Sequence, residues 1–61
     1  MNDNALIELV VTDMNRLRGR LFQVVESAGL PAKQESALKG VIRSTTYDAQ
    51  ADLESALRGE N

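Results

Sequence analysis

The densest run of chemistry-bearing side chains is Arg43-Ser44-Thr45-Thr46-Tyr47, which sets an arginine, consecutive hydroxyls and the chain's single tyrosine side by side. An arginine fork can hold a phosphate bidentately, hydroxyls can bond a phosphate or a ribose, and a tyrosine ring offers a stacking surface. Arg16, Arg18 and Arg20 form a second cluster earlier in the chain, and Lys39 precedes Arg43 by four residues. The candidate ligand-binding residues are therefore Arg16, Arg18, Arg20, Lys39, Arg43, Thr46 and Tyr47. The ligand suited to them is a small phosphorylated molecule such as a nucleotide. Two other readings stand beside this one. The cations can pair with acids of a neighbouring protomer and set register, or they can solvate exposed helix faces. In the blander reading of the hydroxyl run, Thr45 occupies an apolar seam and its neighbours face solvent.

Catalysis is not expected. The chain has no His and no Cys, which removes the commonest general base and the most reactive nucleophile. Asp48 and Asp52, spaced i and i+4, are too slight a signal for a metal site, and no phosphate loop, zinc pattern or EF-hand loop occurs. No cofactor is expected. The net charge of -2 argues against a protein that coats nucleic acid.

The elements that must position these residues are two helices. Ile7, Val10, Met14, Leu17, Leu21, Val24 and Ala28 recur at alternating steps of three and four, an unbroken heptad seam. Asn2, Asp3 and Asn4 suit an N-cap, and Gly29 suits a left-handed C′ residue with Leu30 folding back on Val25. Pro31 forbids continuation and suits the first turn of a second helix. The reading is one domain over residues 1–61: helix 3–28, turn 29–31 and helix 31–58. In the second helix, Leu38, Ile42, Thr45, Ala49, Leu53 and Ala56 form the stripe expected to face the first, flanked by Val41 and Leu57. Ala37, Gly40, Ser44, Tyr47 and Ala51 form a mostly small-residue stripe on the other side. In a closed hairpin Gly19 and Gly40 should stand level, both outside the seam. Basic residues cluster near that level, while Asp3, Glu8, Asp13, Asp48, Asp52 and Glu54 make the terminal end acidic.

The fold class is thus all-α, an antiparallel two-helix hairpin. With 61 residues and no disulfide or structural zinc, it is expected to assemble into a homo-oligomeric bundle, as a homodimer or larger. The first helix also carries apolar residues off its seam (Leu6, Leu9, Val11, Phe22, Val25), more than one neighbouring helix can cover. The expected oligomer interface is Leu9, Phe22, Val25, Gly40 and Ser44. There is no run of about 18 apolar residues, and Met1-Asn2-Asp3-Asn4 lacks the basic start of a signal peptide. The expectation is a soluble, cytoplasmic chain without membrane contact.

In format, the two helices meeting at Gly29-Leu30-Pro31, with Ala32-Lys33-Gln34-Glu35 and Ile42-Arg43 following, resemble small plasmid and phage helical hairpins. Those hairpins dimerise into four-helix bundles, some of which bind RNA. The chain also resembles the compact helical proteins by which phages sequester cyclic-nucleotide immune signals. The likeness is architectural and spans the whole chain, so no functional residue carries over. The second resemblance implies anti-defence ligand capture, with Arg43, Thr46, Tyr47 and the Arg16–Arg20 cluster lining a pocket between protomers. The first implies exposed basic and aromatic residues on one helix face, as Phe22 with Arg18. The expectation is a non-catalytic oligomeric protein that sequesters a phosphorylated ligand. Its alternatives are an interaction module for a host protein, docking through Leu9, Phe22 and Val25, and an RNA-binding bundle.

Overall fold

In a computed structural model describing residues 3–59, the chain forms two helices, α1 (Asp3–Ser27) and α2 (Ala32–Arg58), packed against each other as a hairpin. The boundaries fall within a residue of those expected. The proposed cap at Asn2 lies outside the described residues, while Asn4 lies within α1. Gly29 takes φ +66°, the left-handed conformation that ends α1 cheaply only without a Cβ. Ala28 N–H reaches back to the Val25 carbonyl (3.2 Å), closing the last turn tightly. Pro31 sits at the N-cap of α2 rather than inside its first turn. Its φ of −56° and ψ of 145° are extended, and its carbonyl accepts the Glu35 N–H at 2.9 Å. A second left-handed glycine, Gly59, ends α2 with its N–H on the Ser55 and Ala56 carbonyls.

The side chains between the helices differ from the expected set. Ile7 and Val25 are the buried hydrophobic residues, with Val11, Met14, Leu21 and Phe22 half-buried around them. From α2 the inward residues are Lys39, Ile42, Thr46, Gln50 and Leu57. Three members of the heptad seam stay exposed, Leu17 at 46%, Val24 at 66% and Ala28, and Thr45, Ala49 and Ala56 are exposed on α2. The contact line is therefore rotated from the seam by about one residue, or roughly 100° of helix, on α2 and by less on α1. A single helix–helix contact uses a narrow line of side chains, whereas this apolar stripe is broad enough for two neighbours. The hairpin takes one edge of it and leaves the other in solvent.

Helical periodicity collects that remainder on one broad side. Leu6, Leu17 and Val24 from α1 lie beside Leu38, Thr45, Ala49 and Leu53 from α2, with Val41 at the margin. The opposite side carries Glu8, Asn15, Gly19, Phe22 and Glu26 with Gly40, Arg43 and Tyr47. Cα extents of 44 × 20 × 8 Å describe a single layer, whereas stable domains pack two layers around a core. No side chain among the described residues is sealed from solvent.

Candidate functional site

At mid-height of the hairpin the inward line meets polar residues. Arg18 points from α1 into the contact with α2 and is 94% covered, as is Thr46 facing it. The Arg18 side chain is held on every side. Its Nε donates to Thr46 Oγ1 at 2.8 Å, Nη1 to Asn15 Oδ1 at 2.6 Å, and Nη2 to Gln50 Oε1 at 3.1 Å. Its guanidinium carbon lies 3.7 Å from the centroid of the Tyr47 ring. Thr46 tolerates the helix interior because its hydroxyl donates to the Ile42 carbonyl (2.7 Å) while accepting from Arg18.

None of the direct partners of Arg18 is an acid. A counter-charge stands one step away, since Gln50 Nε2 donates to Glu54 Oε2 at 3.4 Å, and Glu54 in turn pairs with Arg58. A covered cation served by neutral acceptors and an aromatic face is costly to desolvate, and each of its acceptors must stay in place.

Beside this network lies a second cation–aromatic group. Lys39 Nζ and Arg43 Cζ stand 6.0 and 5.8 Å from the centroid of Phe22. Lys39 also donates to Glu26 Oε2 across the hairpin at 2.7 Å and lies 3.9 Å from Glu35. The Glu26 hydrogen bond, with both carboxylates nearby, holds the Lys39 ammonium above its ordinary range.

Of the residues expected to bind a ligand, the structure brings Arg18, Thr46 and Tyr47 into one network and sets Lys39 and Arg43 beside it over Phe22. Arg16 and Arg20 do not converge there. Arg16 pairs at 3.5 Å with Asp13, both well exposed, and Arg20 lines a shallow groove of about 370 Å³ with Gln23, Val24, Ser27 and Ala28. Each step of two residues turns about 200°, so Arg18 faces away from the side that Arg16 and Arg20 share. Thr46 and Arg18 are consumed by the packing, leaving Arg43 and the half-exposed Tyr47 as the reachable part.

The expected interface residues scatter in the same way. Val25 turns into the hairpin, Phe22 is half-buried on the polar side, Leu9 sits on the outer edge of α1, and Ser44 is exposed. Gly40 is half-buried, and an added Cβ at Gly40 or Gly19 would meet nothing within 4 Å. Reasoning from the sequence overlooked Asn15 and Gln50, which complete the Arg18 network. Their signal was available only in the register, since both lie along the same helical line as Arg18 and Thr46. Among the described residues no cluster of three or more potential metal ligands occurs, and no helix is long and apolar enough to cross a membrane. Compared with protein-family models, with curated proteins and with solved structures, the chain matches none.

Proposed function

We propose that the chain is a non-catalytic binding protein that works as a homodimeric four-helix bundle, with its apolar sides closed on each other and its cation–aromatic sides outward. The observation that carries this is the segregation of the two sides of a one-layer hairpin. A compact protein of 6.7 kDa exposes about 3,900 Å² and has a radius of gyration near 10.5 Å. This chain exposes 4519 Å² and measures 14.1 Å. The excess of about 600 Å² approaches the roughly 800 Å² that each partner buries in a standard interface. A second identical layer would cover Leu17, Val24, Leu38 and Leu53 at one stroke.

The outward side then offers Arg43 and Tyr47 twice per dimer, with Arg18 stacked beneath the Tyr47 ring. That pairing favours an anionic, planar ligand: phosphate against the Arg43 fork, and a base against the open face of Tyr47. Tyr47 is the single tyrosine and the chain has no tryptophan, so its fluorescence is an unambiguous reporter. Titration with linear and cyclic nucleotides, read by Tyr47 emission and by calorimetry, should show saturable binding that Arg43→Gln abolishes. Flat titrations across the panel would sink the ligand assignment while leaving the bundle standing. The protein-partner reading keeps one favourable observation, the exposed apolar side. A chain that stays monomeric while that side remains open would favour it.

A further inference from the structure

We infer that the second copy lies on the apolar side with its hairpin loop at the opposite end, so that α1 stacks on α1 of the other copy. This rests on the self-association proposed above and specifies its geometry. Two twofold arrangements close the apolar sides. With the axis along the helices, both loops lie at one end and α1 of each copy runs over α2 of the other. With the axis across the helices, the loops lie at opposite ends and like helices run antiparallel over each other.

Charge separates the two arrangements. The terminal half of the hairpin carries Glu8, Asp13, Asp48, Asp52 and Glu54 with Arg58, and the loop half carries Arg16, Arg20, Lys33, Lys39 and Arg43 with Glu26 and Glu35; of these, Asp13, Asp48 and Asp52 and the arginines Arg16 and Arg20 lie toward the outer rims of the apolar side. Bringing the loops together lays acid on acid, with Asp13 on the rim of α1 meeting the Asp48 and Asp52 rim of the facing α2. Setting the loops apart instead inserts Asp13 between Arg16 and Arg20 of the facing α1. Arg20 has no ion-pair partner within its own chain among the described residues, so it is free to take one there. The apolar residues that α1 leaves open follow the same symmetry, which brings Leu6 level with Val24 and sets Leu17 near its own counterpart across the axis.

The chain has no cysteine, so single introduced thiols report contacts without background. Leu6→Cys and Val24→Cys both alter partly exposed positions and spare the hairpin's own buried residues. When the two variants are mixed and gently oxidised, the mixed disulfide joining positions 6 and 24 should dominate. With the loops together those positions would be about 27 Å apart along the bundle, far beyond disulfide reach. Disulfides confined to like variants would overturn the orientation. In addition, Asp13→Arg should raise the dimer dissociation constant roughly tenfold, and mixing it with the Arg16→Asp/Arg20→Asp variant should restore tight pairing as a heterodimer. An unchanged constant, or no preference for the heterodimer, would count against the rim contact. Wild-type protein that is monomeric throughout would instead remove the self-association on which the geometry rests.

Discussion

The guanidinium carbon of Arg18 lies over the Tyr47 ring, 3.7 Å from its centroid, and joins the middle of one helix to the middle of the other. The stack sits where a hairpin of this size would ordinarily place a leucine. It fixes register, because Thr46 and Gln50 can both accept from the same guanidinium only at one sliding position of the helices. Apolar contacts alone would tolerate a slip of one turn. Charge-assisted hydrogen bonds do not.

Removing an acceptor should therefore cost more than removing the charge. Thr46→Val leaves the Arg18 Nε–H covered and unpaired, and is expected to lower stability by about 1–3 kcal/mol. Arg18→Met fills similar volume without a charge to desolvate and should cost less, or even stabilise. Urea unfolding at fixed protein concentration compares the two. A Thr46→Val midpoint equal to wild type would contradict the network.

The glycines divide by backbone conformation. Gly19 and Gly40 lie inside helices with open space at the Cβ position, so alanine at either should stabilise the hairpin by about 1 kcal/mol. Gly29, at φ +66°, should lose stability when replaced by alanine. Thermal melts of the three variants test this directly. A destabilising Gly40→Ala would mean that another chain approaches that side closely.

Lys39 predicts an alkaline limb. Its ammonium is held above the ordinary 10.5 by the Glu26 hydrogen bond, so its contribution is fully present below the unfolded-state value. That contribution is lost as the pH rises through the folded-state value. Wild type should lose more stability than Lys39→Gln as the pH is taken upward from about 10.5, and the two should run parallel between pH 7 and 9. Parallel curves over the whole range would show that the Lys39–Glu26 pair contributes nothing.

Leu17→Asp separates the two packing surfaces. In a hairpin closed along the heptad seam, Leu17 would be central and the aspartate would unfold the chain. Here Leu17 is 46% exposed on the open side, so the substitution is expected to abolish self-association while the α1–α2 contacts remain. Sedimentation and circular dichroism on the same samples tell these apart. Lost helicity at concentrations where wild type is also monomeric would place Leu17 back in the hairpin's own core.

The helices and their ends were legible in the sequence because their signals are local. A 3-4 apolar repeat, a left-handed glycine and a following proline mark positions without reference to anything distant. Which edge of a broad apolar stripe faces which neighbour is not local. Both Leu17 and Val25 belong to apolar lines of α1, and the choice between them is made by α2. The same limit hid Arg18, which reads as one member of a basic cluster until Thr46 and Gln50 are brought opposite. Thr45 and Thr46 differ by one position, and a rotation of about 100° exchanges the outward threonine for the covered one.

Sedimentation equilibrium of the wild-type chain over a wide concentration range tests the central claim most directly. The account predicts a species of twice the 6.7 kDa chain mass that dissociates on dilution and melts at a temperature rising with protein concentration. A species of 6.7 kDa at every concentration, with a cooperative melt that does not move, would contradict it.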